Sequence, residues 1–328
     1  MLHFDPMSPS QAFSFEPDPN GVRQFGFKAL GTNCSVKLRC EDDRTALQFA
    51  ADALKWLGDF EAKFSRYRPI SAISKINDAA GDGWISIDDE MEHMLRLADD
   101  LHQRTDGILD ATMLPLQQIW NWKTVHEKLP DKQAIKAALS LTGWEKVERK
   151  PGAVRLPITG MGLDFGGFGK EYAVDFLKRM AQQRGIKDVL IDLGRDIATL
   201  GGNGKHPFWH VGIEDGLKPG HCWGGLAVSG QAVSTSGDAA RHFIHEGKRY
   251  GHILDPRNGW PVSNGVRSVT VIANSCLEAG VYSTAVFVLG VKHGLHLATL
   301  ARGVEVCLQT ETGIEGTRSF GKHLVQAA

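Results

Sequence analysis

Apolar residues recur at two alternating spacings along this chain, and the alternation sets the expected architecture. From Phe25 to Cys40 apolar and polar positions alternate, with a break near Gly31, which predicts a pair of strands. Asp42 to Phe64 switches to helical spacing, with Leu47, Ala50, Leu54, Leu57 and Phe60 or Glu61 marking one face. A second helix is predicted over Asp88–Arg104, closed by Gly107, and a third over Asp131–Leu141. Short strands follow between Val147 and Phe165, then a helix over Lys170–Arg184 that stops at Gly185, then a buried strand over Val189–Leu193. From Trp209 to Ala273 the pattern is mostly strand. Ser275-Cys276-Leu277-Glu278 is a capping box, opening a helix expected to end at Gly290. Val304–Thr310 reads as the last strand. The expected class is mixed α/β or α+β.

Composition narrows the classes. The chain has 328 residues, 42% of them hydrophobic and 23% charged, as in ordinary soluble globular proteins. A net charge of −1 gives no footprint for nucleic acid or an anionic membrane surface. The five cysteines, Cys34, Cys40, Cys222, Cys276 and Cys307, form no Cys-x-x-Cys pair, so neither a zinc site nor a disulfide framework is signalled. No stretch reaches the roughly 20 apolar residues of a membrane helix. Residues 1–26 carry Pro6, Pro9, Pro17 and Pro19 and no apolar signal core. They read as a flexible or draped arm before a single domain over 27–328.

Several short segments concentrate chemistry. Thr235-Ser236-Gly237-Asp238 and His252-Ile253-Leu254-Asp255-Pro256-Arg257-Asn258-Gly259 place hydroxyls, an imidazole and carboxylates beside a sharp turn. Between them, Glu246-Gly247 reads as the turn of a hairpin. For His252 and Asp255 two readings stand: a catalytic base with its orienting carboxylate, or an Asp-Pro turn with a structural histidine. Gly162–Glu171 reads as a strand, a glycine-rich turn and a helix whose first turn carries Lys170. Such a loop lets backbone N–H groups approach an anion, phosphate above all. It is not a Walker loop, because Asp164 and Glu171 stand where Gly and Ser/Thr are required. It is not a dinucleotide fingerprint either, because Phe165 takes the place of the third glycine. A tight turn with a solvated lysine is the plain alternative. Phe64-Ser65-Arg66-Tyr67-Arg68 sets an aromatic ring between two guanidiniums, suited to a planar ring and phosphates, or else is a solvated loop after a helix. Asp106–Thr112 presents Asp110 on a turn. Ile191–Asp196 is a buried strand ending in polar residues, where open α/β sheets place ligands.

Taken in order, these segments resemble the ApbE family of FAD:protein FMN transferases. The resemblance runs from about Phe27 to Val306. It is carried by Leu30-Gly31-Thr32, Phe64–Arg68, Asp106–Asp110, Leu163–Asp175, Asp192-Leu193-Gly194, Thr235–Asp238, His252–Pro261 and Ser283-Thr284-Ala285. It implies two interleaved, layered subdomains with a flavin cleft between them. It also implies an enzyme that splits FAD, joins FMN by a phosphoester to a Thr or Ser of an acceptor flavoprotein and releases AMP, with Mg²⁺ as cofactor. By that reading His252 is the expected base or proton shuttle, oriented by Asp255, and Lys170 with the backbone of Gly166, Gly167 and on to Gly169 holds the diphosphate. Tyr67 is expected to stack on a ring of FAD, with Arg66 or Arg68 nearby. Leu30, Asp110, Asp192, Thr235 and Ser236 line the nucleotide pocket, and Thr284 ligates the metal.

The chain departs from the family pattern where a metal carboxylate is usual. The family's Ala-Asp-x-x-x-Thr reads Ala279-Gly280-Val281-Tyr282-Ser283-Thr284, and its usual Lys-Gly reads Lys170-Glu171. Glu171 is therefore the expected substitute ligand, direct or through water. Leu30 stands for a frequent Met, and Arg195 for a frequent Gly after Asp192-Leu193-Gly194. Arg195 either adds a phosphate contact or caps the strand end. Exported lipoproteins are common in the family. With no signal core or lipidation cysteine near its start, this chain is expected to be cytoplasmic. Three activities follow in order of preference: flavin transfer, hydrolysis of FAD to FMN and AMP, and flavin binding without catalysis.

Overall fold

The computed structural model describes residues 16–121, 128–239 and 241–325. Its frame is an eight-stranded sheet in which every neighbouring pair is antiparallel. Strands β1 (Arg23–Ala29) and β2 (Thr32–Arg39) form the first hairpin. After helix α1 (Asp43–Phe64), the chain builds a helical half before returning to this sheet. That half holds α2 (Ala72–Asp78), β3 (Ile85–Ser86), α3 (Asp89–Arg104), α4 (Leu114–Ile119), α5 (Lys132–Ser140), β4 (Glu148–Lys150) and β5 (Ala153–Arg155). Helix α6 (Gly169–Gln183) leads back into β6 (Asp188–Leu193) and β7 (Ile197–Leu200). Next come β8 (Trp209–Glu214), β9 (Cys222–Val228), β10 (Ala232–Gly237), and the separate hairpin β11 (His242–His245) and β12 (Lys248–Gly251). Strand β13 (Val266–Ala273), helix α7 (Cys276–Leu300), β14 (Glu305–Thr310), β15 (Ile314–Gly316) and β16 (Leu324–Val325) finish the chain. The large sheet runs β1-β2-β6-β7-β10-β13-β14-β15.

Alternation in the central strands assigns the two faces of this sheet. Val189, Ile191 and Leu193 of β6, with Val269, Val271 and Ala273 of β13, pack against α1, α6 and α7. Leu190, Val233, Ile272 and Cys307 point the other way, onto Val211, Ile213, Leu226 and Val228 of a three-stranded sheet β16-β9-β8. That small sheet is a third layer, which periodicity alone did not separate from the rest. A second core joins α2, α3 and the sheet β3-β5-β4 through Ile73, Ile76, Met91, Met94, Leu95, Leu101 and Val154. Two helices serve both cores. Helix α1 buries Phe49, Ala50, Ala53 and Leu57 in the first and Phe60 and Phe64 in the second. Along α7, Ala279, Tyr282 and Val286 enter the first core, and Val281, Ala285 and Val288 the second.

Several sequence expectations need correction. The buried stripe of α1 holds Ala50, Leu57 and Phe60 as expected but continues through Ala46, Phe49 and Ala53, whereas Leu47 is 47% exposed. Strand β1 starts inside the stretch read as an arm, because Arg23 is buried and bonds Asp43 and the carbonyl of Cys40. Residues 1–15 of that arm lie outside the described residues. Helix α7 does not end at Gly290 but breaks there, at φ 75° and ψ −178°, and resumes to Leu300. The side chain of Asn264 donates to the carbonyls of Phe287 and Val288 freed by this break. Strands β15 and β16 lie beyond Val304–Thr310, and α2 and α4 fall where no helix was expected. Among the described residues no helix is long and apolar enough to cross a membrane.

Asp175 on α6 ties the two helices together. Its carboxylate accepts from the backbone N–H groups of Cys276 (2.8 Å) and Leu277 (2.9 Å), at the start of α7. Burial nonetheless pushes its pKa up, the cost of placing a charge in the core. Asp175→Ala leaves two buried donors unpaired. We expect it to lower the unfolding free energy by about 1–3 kcal/mol, read as an earlier urea midpoint at unchanged slope.

Candidate active site

A cleft of about 920 Å³ opens between the two cores. Helix α6 presents its N-terminus to it behind the loop Asp164–Phe168. Asp164 shapes that loop by accepting from the N–H of Gly166 at 2.9 Å and from Arg66 Nε, also at 2.9 Å. The Arg66 guanidinium in turn lies over the Tyr67 ring, 4.3 Å from its centroid. Thus Arg66, Tyr67, Gly166, Gly167 and Lys170 all line one wall, and Tyr67 stands at its rim, 68% exposed. Of the residues expected here, Asp110, Glu171, Asp192, Thr235, Ser236, His252 and Thr284 also line the cleft.

The carboxylates do different work. Asp110 accepts from the N–H (2.7 Å) and hydroxyl (2.6 Å) of Thr112 and from the N–H of Trp144, so much of its capacity holds local backbone. Asp192 accepts from the N–H of Arg195 at 2.7 Å, and burial pushes its pKa up. Asp192 does not sit at the switch point of a parallel sheet. It begins an antiparallel β6–β7 hairpin whose turn residues, Gly194 and Arg195, have φ of 71° and 76°. The Arg195 side chain pairs with Glu214, holding this turn against β8.

Lys170 ion-pairs with Asp196, which is 4% exposed and also accepts from the Ser234 hydroxyl. Its ammonium lies 3.7 Å from Glu171 Oε1. Asp196 is the residue sequence reasoning missed. It belongs to the Ile191–Asp196 motif, but only the two-residue turn folds it back beside Leu193 and toward Lys170. On the opposite wall, Ser236 bonds the hydroxyls of Ser283 (2.8 Å) and Thr284 (3.0 Å). Thr235 pairs across the sheet with Thr270 at 2.9 Å.

His252 follows the β11–β12 hairpin, with Nδ1 3.2 Å from the carbonyl of Arg241. Burial, then the positive charges of Arg241 and Lys170, push its pKa down to about 4, so the imidazole is neutral near pH 7. Asp255 is engaged by its own turn. The Asp255 carboxylate accepts from the N–H, Nε and Nη2 of Arg257 at 2.7–3.0 Å and from the Asn258 amide. It is an Asx turn that builds the Pro256–Gly259 reversal, outside the cleft. Leu30 is likewise not a cleft residue. At φ 52° it makes the β1–β2 turn with Gly31 and packs against both cores, leaving Thr32 and Asn33 to line the cleft.

Comparison with known proteins agrees with this geometry. A "FAD:protein FMN transferase" of Klebsiella pneumoniae is 30% identical over 278 residues, 84% of this chain and 85% of the relative. The crystal structure of the Thermotoga maritima ApbE protein superposes with a TM-score of 0.84 at 28% identity, covering 93% of this chain and 100% of that one. The apo flavinyl transferase ApbE of Pseudomonas stutzeri gives 0.82 at 26% identity, covering 94% and 98%. The sequence profile of the ApbE family matches residues 30–308, and with the cleft, the glycine loop and the helix pair in place, the chain belongs to the ApbE family.

Proposed function

We propose that this chain is an FAD:protein FMN transferase that cleaves FAD and joins FMN to a Thr or Ser of an acceptor flavoprotein by a phosphoester, with release of AMP. The observation that supports it most is the meeting, in one cleft of a chain of this family, of Lys170 at the α6 N-terminus with a histidine held neutral. The acceptor hydroxyl attacks the phosphorus of the FMN half. The new O–P bond forms as the P–O bond to AMP breaks, and the hydroxyl proton goes to His252. Lys170 and the N–H groups around Gly166 and Gly167 hold the diphosphate, where charge builds on the oxygens. Tyr67 offers a face for a flavin or adenine ring. Thr235 and Ser236 line the wall opposite.

A divalent cation, Mg²⁺ by preference, fits this site. Glu171 is 8% exposed and, among the described residues, its Oε2 is buried with no hydrogen-bond partner. Thr284 supplies a hydroxyl one helical turn beyond Gly280. Among the described residues no group of three or more His, Cys, Asp or Glu could hold a metal by itself. A Mg²⁺ site on this wall would take its remaining ligands from substrate phosphates and water, for which one or two carboxylates suffice. When bound, the cation neutralises charge on the diphosphate.

The test is AMP release from FAD, with Mg²⁺ or EDTA, with and without a peptide carrying an acceptor Thr. AMP release matched by a peptide mass gain of FMN, and lost in EDTA, is the expected result. AMP release that proceeds equally without peptide, and never labels it, would replace transfer by hydrolysis. FAD binding without AMP would leave a flavin carrier.

A further inference from the structure

We infer that Glu171 supplies the cation carboxylate of this cleft from α6, and that it and a side chain at position 280 on α7 are alternatives for one space. The inference rests on the flavin-transfer reading for the diphosphate that completes the site. Gly280 lies in the buried stretch of α7, facing the start of α6. A Cβ built on it would stand 3.0 Å from Cδ and 3.1 Å from Oε1 of Glu171, and closer still to Cγ. The three nearest atoms to that Cβ all belong to Glu171, so the side chain arriving from α6 fills the room that one leaving α7 at 280 would need.

The ion pair with Lys170 accounts for only one oxygen of the carboxylate in that room. A buried glutamate is ordinarily paired or hydrogen-bonded. Glu171 has Lys170 at 3.7 Å from Oε1, yet that ammonium is already paired with Asp196, and Oε2 has no partner among the described residues. The carboxylate is therefore held in the cleft wall with one oxygen unspent.

The neighbouring hydroxyls complete the picture. Ser283 donates to the carbonyl of Gly280 at 2.9 Å, its hydroxyl meets Ser236, and Ser236 meets Thr284. Residues 280 and 284 are four apart on one helix and lie on the same face. A ligand leaving α7 at 280 and one leaving α6 at 171 thus start from one space, in a cleft that Glu171 and Thr284 both line. Oxygen donors from carboxylate, hydroxyl and substrate phosphate make a hard-cation site. Moving the carboxylate from one helix to the other keeps its chemistry while exchanging which backbone carries it.

Mn²⁺ binding in the presence of FAD tests this, followed by loss of the free Mn²⁺ EPR signal, with FAD affinity measured separately in EDTA by flavin fluorescence. Glu171→Gln keeps the shape of the side chain and is expected to weaken Mn²⁺ binding ~10-fold or more without a comparable change in FAD affinity. Glu171→Ala is expected to do the same. The double variant Glu171→Ala/Gly280→Asp is expected to regain most of the lost affinity, whereas Gly280→Asp alone crowds Glu171 and lowers the melting temperature. Unchanged Mn²⁺ affinity in Glu171→Gln, or no Mn²⁺ uptake by the unaltered protein with FAD, would overturn the inference. So would a folded double variant that regains nothing. If the double variant fails to fold, Glu171→Gln decides alone. FAD binding and AMP release are read independently, so loss of this inference leaves flavin transfer standing or falling by its own assay.

Discussion

Lys170→Met is expected to lower kcat/KM for FAD by ~10²–10³-fold, the usual cost of removing one preorganised donor from a transferring phosphoryl group. The same substitution has a second consequence. Asp196 is nearly inaccessible, and without the ammonium its charge keeps only the Ser234 hydroxyl. Breaking a buried pair by removing one partner costs more than never having made it. Because the Lys170 side chain is 22% exposed, we expect a loss of stability of about 1–3 kcal/mol, smaller than for a fully buried pair. Asp196→Asn added to Lys170→Met should recover stability but not turnover. Urea midpoints and steady-state rates on the three variants separate the two effects. Full activity in Lys170→Met would remove the diphosphate role.

His252→Gln is expected to lower kcat by ~10²–10⁴-fold while changing FAD affinity little, because a base acts on the acceptor proton rather than on ground-state binding. The pH profile carries the sharper signature. An imidazole with its ordinary pKa of 6.5 would begin to lose base function below neutrality. With the pKa pushed down to about 4 by burial, and by Arg241 and Lys170, the acidic limb of kcat/KM should fall near pH 4. The same shift sets the sign of a stability effect. Below pH 6.5 the unfolded chain takes up a proton that the folded imidazole refuses until about pH 4. This residue's contribution therefore favours the fold above pH 6.5 and is lost progressively between those limits. His252→Gln should flatten that part of the stability curve. An acidic limb near 6.5, abolished by the same variant, would contradict the geometry.

Much of the fold was legible where one local rule dominates. Asp42, Asp88, Asp131 and Ser275 each accept from a backbone N–H two or three residues into the helix they were expected to open. Glu246 and Gly247 make the left-handed turn their sequence demands. Helix α2 was not legible because seven residues hold too few turns to show a period, and its cap at Ser71 looked like loop chemistry. Strand direction was not legible either. Alternation of helices and strands does not fix it, and here the chain from α1 to β6 spans the whole helical half and returns antiparallel to β2.

The candidate site divides along the same line. Lys170, Gly166 and Gly167 were found because a glycine turn into a helix is a contiguous signal. Asp196 was missed because its partner Lys170 lies 26 positions earlier, on α6, and only the β6–β7 turn brings the two together. Asp255 misled because Asp-Pro-x-Asn-Gly has two uses for a carboxylate, and the turn claims it first.

The residues of α7 enter the two cores in alternation, and α1 begins in one and ends in the other. Among the described residues, such shared rods tie the two walls together, since α1 and α7 each pack into both cores. The distance between the α6 N-terminus and the Ser236–Thr284 wall is set by packing that folding itself completes. The shared packing is therefore expected to make the cleft a gauge of nearly fixed width, against which a substrate is selected by fit.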